Sequence, residues 1–145
     1  MVIDLNTQNI MLNNFKFNHI GYVVKDIDKT AQFYIEAGYI KAPTKFESSQ
    51  NVYTAFLSKT GMPTIELVSP SCEESPVMSI LKKNGVTPYH ISYIVEDIEK
   101  VIARLKSMKF ILIEKPIEHD NDIFAFLYNK HVGLIELEQI KDRKR

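Results

Sequence analysis

From Phe17 to Val24 the chain alternates, with Ile20, Tyr22 and Val24 on one side of an extended strand and Phe17, His19 and Gly21 on the other. Asp26 then reads as a helix N-cap, followed by Ile27, Thr30, Ala31 and Tyr34 at helical spacing. Short runs rich in β-branched and aromatic residues come next, around Tyr39 and over 51–58 and 64–69, with a turn at Gly61, Met62 and Pro63. The pattern predicts a strand, a helix and three strands.

The same pattern returns about 70 residues later. A shift of 71 lays FNHIGYVVKDIDK on PYHISYIVEDIEK, so that His19 falls on His90, Tyr22 on Tyr93 and Asp26 on Asp97. A shift of 70 lays Ala55, Phe56 and Leu57 on Ala125, Phe126 and Leu127, and Ile65, Glu66 and Leu67 on Ile135, Glu136 and Leu137. Matches in the same order in both halves argue for a repeated structural unit. The second copy predicts a helix capped by Asp97, with Ile98, Val101, Ile102 and Leu105 as its apolar stripe. Its strands are expected over 110–113, 122–128 and 133–138, with a turn at 129–132. Between the copies, Ser75 as cap, Pro76 as first helical residue, Lys82 and Lys83 near the end and Gly85 beyond it predict a linker helix at about 75–85.

The expected layout is an N-terminal extension (1–15) and one domain over 16–139, followed by a basic tail (140–145). Within the domain, unit one covers 16–70 and unit two 87–139. The fold class is α+β, and two copies are too few for a solenoid, so they should pair about a pseudo-twofold axis.

Charge and composition narrow the function. Eighteen Lys plus Arg balance eighteen Asp plus Glu, so no net field draws nucleic acid or an anionic membrane. No apolar stretch approaches the ~20 residues of a membrane span, and the first residues lack a secretory signal's basic start and apolar core. Cys72 is alone, which excludes an intrachain disulfide and a cysteine zinc site and fits a reducing compartment. The expectation is a cytoplasmic protein with a small-molecule substrate and neither nucleic-acid nor membrane partners.

Strand period puts His19 and His90 on the faces turned away from the helices, and Glu66 and Glu136 likewise. Singly, a strand histidine is usually a hydrogen-bonded structural residue and a glutamate in an alternating strand usually faces water. Four such residues at repeat-equivalent positions are harder to dismiss. If the face is enclosed, the two carboxylates must be neutralised, and a divalent cation does so directly. Two imidazoles and two carboxylates suit Co²⁺, Ni²⁺, Mn²⁺, Zn²⁺ or Fe²⁺, and an octahedral ion would keep two positions for water or substrate.

At these residues the chain resembles the vicinal oxygen chelate superfamily, in which two βαβββ modules form a half-open barrel around a metal. The resemblance covers about residues 16–139 and implies His19, Glu66, His90 and Glu136 as metal ligands. A four-ligand set is similar to the isomerase branch, glyoxalase I and the methylmalonyl-CoA epimerases. The stretch IELVSPSCEESPVMSILKKNGVTPYHISYIVEDIEKV resembles the epimerases more. That resemblance implies proton removal next to a carbonyl, an acyl-CoA thioester substrate and a homodimer. It also implies that Glu136 acts as ligand and base, with Glu47, in the loop before Asn51, as the candidate base for the other face. The alternatives are a glyoxalase I-like lyase or other metal enzyme of specialised metabolism, and a small-molecule binding protein without catalysis. His119 and His131 are further titratable residues of the second copy's loops, read as exposed.

Overall fold

The computed structural model describes residues 12–140. Most of the expected 1–15 extension and the tail beyond Ile140 lie outside the described residues. The chain divides into two compact units, one of His19–Tyr89 and the other of His90 onward together with the chain up to Asn18.

The first unit is built on β1 (Lys16–Val23), α1 (Ile27–Glu36), β2 (Ile40–Lys41), β3 (Lys45–Glu47), β4 (Val52–Ser58), β5 (Ile65–Pro70) and α2 (Met78–Asn84). The first three residues of β1 group with the second unit. Its strands run in the order β2-β4-β5-β1, with β3 also beside β4. β1 and β5 are parallel and β4 is antiparallel to β5, so Gly21 lies beside Glu66 and Phe56 lies opposite it. The second unit repeats this with β6 (Thr87–Ile94), α3 (Ile98–Ser107), β7 (Ile111–Leu112), β8 (Ile117–His119), β9 (Asp122–Asn129) and β10 (Gly133–Ile140). The order is β6-β10-β9-β7, with β8 beside β9. The fold class is α+β, as the pattern predicts.

Both helices start where their aspartates predict. Asp26 is extended (φ −138°) and its Oδ1 accepts from the Lys29 amide at 3.0 Å; Asp97 does the same for Lys100 at 3.2 Å. Each helix lays its apolar stripe on one sheet face. Ile27 and Ala31 pack with Leu57 and Leu67 in the first unit, and Ile98, Val101 and Leu105 with Leu127 and Leu137 in the second. Burying each of the strand leucines Leu57, Leu67, Leu127 and Leu137 stabilises the fold by roughly 1.5–3 kcal/mol, and all four have 0% exposure.

Three local readings need correction. Ser75 does not cap α2, because the N-cap is Val77 and Pro76 precedes the helix. The Ser75 hydroxyl instead donates to the Gln50 carbonyl at 3.2 Å, a tertiary contact that fixes the segment ahead of the helix. The lysines and Gly85 (φ 74°) do close α2 as expected. β3 and β8 were not foreseen, so Glu47 ends a strand rather than sitting in a loop, and His119 likewise ends β8.

Candidate metal centre

In the first unit, His19 on β1 is 3% exposed. Its Nε2 lies 3.1 Å from Oε1 of Glu66 on the neighbouring β5. The Phe56 ring stands edge-on to the imidazole at 5.1 Å and 79°, and Phe56 is the register partner of Glu66. An imidazole and a carboxylate are thus held together against an aromatic wall that keeps water away from one side of the ring.

The second unit builds the same arrangement from equivalent residues. His90 on β6 is 4% exposed, with Nε2 at 3.6 Å from Oε1 of Glu136 on the parallel neighbour β10. Phe126, the register partner of Glu136, stands edge-on to His90 at 5.3 Å and 80°. Such largely buried carboxylates need a compensating cation, either an imidazolium or a metal. Each pair, His19 with Glu66 and His90 with Glu136, offers one imidazole nitrogen and one carboxylate oxygen to a metal ion. Imidazole nitrogen and carboxylate oxygen together suit a first-row divalent metal.

Glu47 is paired with Val52 across β3 and β4, so it leaves the sheet on the face that carries Phe56 and Glu66. It is half-buried. His119 occupies the corresponding place in the second unit, opposite Asp122. It is exposed, with Nδ1 at 3.4 Å from Asp120. His131 lies in the exposed β9–β10 turn.

Several residues at the site escaped the pattern reading. Phe56 and Phe126 had a signal, since both stand in the repeated Ala-Phe-Leu segment. Glu138 had a weaker one, the alternation after Glu136. Burial pushes the Glu138 carboxyl up to about 7, helped by the charges of Glu136 and Asp122 and opposed by a hydrogen bond from Asn18. Asn18 had no signal: its Nδ2 donates to Glu138 Oε1 at 2.9 Å and to Ser92 Oγ at 3.1 Å.

The sequence model of the Glyoxalase/Bleomycin resistance protein/Dioxygenase superfamily matches residues 18–127. Mitochondrial methylmalonyl-CoA epimerase of Homo sapiens is 30% identical over 133 residues, covering 86% of this chain and 73% of the human protein. A solved variant of Streptomyces coelicolor methylmalonyl-CoA epimerase, in complex with 2-nitronate-propionyl-CoA, superposes with a TM-score of 0.75 at 26% identity. That match covers 88% of this chain and 98% of the other. A methylmalonyl-CoA epimerase solved with methylmalonyl-CoA and NH4+ gives a TM-score of 0.75 at 26% identity, over 88% of this chain and 95% of that one.

Proposed function

The chain belongs to the glyoxalase/bleomycin resistance protein/dioxygenase superfamily, and from that premise we propose a divalent-metal-dependent isomerase of the methylmalonyl-CoA epimerase kind. Its substrate is an acyl-CoA thioester with an acidic proton next to the carbonyl, a reading supported by the 2-nitronate-propionyl-CoA and methylmalonyl-CoA held by the solved relatives. The observation that carries the reading is the recurrence of one buried histidine–glutamate pair, walled by phenylalanine, at equivalent places in both units.

His19, Glu66, His90 and Glu136 are the residues that would hold the ion, of the type Co²⁺, Ni²⁺, Mn²⁺, Zn²⁺ or Fe²⁺. When bound, it supplies electrophilic stabilisation for the negative charge that develops on the thioester oxygen. Phe56 and Phe126 hold the imidazole rings edge-on and exclude water beside them. Epimerisation takes a proton from one face of the carbon and returns one to the other, so two bases are required. Glu136 serves as one, and Glu47, on the sheet face of Glu66, as the other.

We further infer a homodimer in a reducing cytoplasm. The edge strands β2 and β7 carry exposed Ile40 and Ile111 at repeat-equivalent positions, which suits edge association. Cys72, the chain's single cysteine, is a free thiol. No described helix is long and apolar enough to cross a membrane.

The test is proton exchange: metal-loaded protein in D₂O should exchange the α-proton of methylmalonyl-CoA for deuterium, read by mass spectrometry. His19→Ala or Glu136→Ala should abolish both exchange and stoichiometric metal content, a larger loss than the ~10–100-fold expected on removing a ligand's outer partner. Absence of exchange by a fully metal-loaded sample would exclude the epimerase chemistry. Tight ligand binding after complete metal removal would favour a binding protein instead.

A further inference from the structure

Glu138 follows Glu136 by two positions on β10, so both side chains leave the same face of the strand. Two positions along a strand span roughly 7 Å, short enough for two glutamates to reach one ion. The register partner of Glu138 is Phe124, and Asp122 also faces it. An anionic Glu138 beside a divalent cation would ordinarily be drawn to it, because each added carboxylate strengthens binding of a hard ion.

Asn18 restrains it. The two N–H bonds of one amide nitrogen are used, one on Glu138 Oε1 at 2.9 Å and one on Ser92 Oγ at 3.1 Å. Ser92 has no exposed surface, which ties the amide to a fixed point, and a hydrogen bond to a carboxylate is among the stronger kind. The first unit has no such device. Under the shifts of 71 and 70, Tyr89 matches Asn18, Gly21 matches Ser92 and Val68 matches Glu138.

We propose that Asn18 is a positioning residue that holds Glu138 out of the coordination sphere of the ion Glu136 helps to bind, which leaves a position open to substrate. This rests on the metal-dependent reading above. Without Asn18, Glu138 becomes an additional ligand, so metal binding tightens while turnover falls. A merely structural role for Asn18 predicts the opposite, because a disturbed site binds its ion less well.

The experiment titrates metal-free Asn18→Leu with Co²⁺, followed by calorimetry and visible absorption. The expected Kd is lower than that of the wild type by about tenfold or more, the usual scale of outer-sphere changes. The Co²⁺ spectrum should shift with the added oxygen ligand, and kcat for deuterium exchange should fall with little change in KM. Glu138→Gln in the Asn18→Leu background should return Kd and spectrum to those of Glu138→Gln alone. Unchanged or weaker Co²⁺ binding by Asn18→Leu, or no reversal by Glu138→Gln, overturns the proposal. If Asn18→Leu does not fold, Ser92→Ala, which removes only the anchor, is read by the same criteria with a smaller shift expected. Wild-type protein that takes up no Co²⁺ would sink the metal reading itself, an outcome distinct from the others.

Discussion

Beyond its histidine–glutamate pair, the inner sheet face of the first unit continues into Val52 and Val68. Both are 3% exposed and packed with Val23 and Val77, with Ile80 and Leu81 of α2 against them. The equivalent positions of the second unit are Asp122 and Glu138, both half-buried and held in a polar network with Asn18. The pairs themselves, with their phenylalanine walls, are the same in both. A duplicated scaffold has therefore kept its histidine–glutamate pair twice while dividing the surrounding work. One copy closes its face with Val77 and the Ile80 and Leu81 side chains of α2, and the other keeps titratable groups beside its carboxylate.

Exchanging the divergent residues breaks this comparison most forcefully. Val68→Glu places a carboxylate beneath α2 with no partner in its cluster of valines, and an uncompensated buried charge costs about 3–5 kcal/mol. Chemical denaturation should show that loss, whereas the reverse change, Glu138→Val, should leave stability near the wild type at neutral pH. Equal losses from both would show that the two faces are energetically alike.

A milder change concerns pH. In metal-free protein the Glu138 carboxyl is raised from 4.5 to about 7, first by burial and then by Glu136 and Asp122. The folded state therefore holds this proton more tightly than the unfolded chain does. Its contribution to stability is fully present below pH 4.5 and is lost as pH rises through about 7. Solvent reaches this side chain and screens the effect. Denaturation midpoints of Glu138→Gln and wild type, compared from pH 5 to 8, should converge at the acid end and separate in favour of the variant at the alkaline end. Parallel curves would count against a proton held by Glu138.

The parts of this architecture that burial dictates could be read from the chain. Alternation at Tyr22 and Val24, the stripe from Ile98 to Leu105 and the two aspartate caps each follow from a face that must be apolar or a terminus that must be satisfied. His19, Glu66, His90 and Glu136 stood out because repetition made them four observations of one pattern. β3 and β8 were not legible: each is three residues long and exists through pairing with β4 or β9. The turns behind them depend on positive φ at Asn51, and at Asp120 and Asn121, which no hydrophobic period encodes. Ser75 was misread because its hydroxyl donates to the Gln50 carbonyl and accepts only a long contact from the Val77 amide at the N-cap, not from the first helical turn. Asn18 was invisible because its partners lie 74 and 120 positions away.

The smallest effect separates the two capped helices. Asp26 and Asp97 each accept one amide of the first turn, but α3 has a second acceptor, Gln139 Oε1, at 2.8 Å from the Ile98 amide. Its counterpart under the 70-residue shift is Ser69, whose hydroxyl donates to the Lys25 carbonyl and so satisfies no helix amide. α1 also buries fewer residues, Ile27 and Ala31 against four in α3. Loss of an aspartate cap costs typically about 1 kcal/mol. Asp26→Ala should therefore cost at least that and speed amide exchange through the first turn of α1. Asp97→Ala should cost less, because the Ile98 amide stays bound to Gln139 and four apolar anchors hold the helix down. Adding Gln139→Ala to Asp97→Ala should bring α3 to the behaviour of the Asp26→Ala helix. If Asp97→Ala already exchanges as fast as Asp26→Ala, Gln139 contributes nothing as a cap and the helices differ only in what they bury.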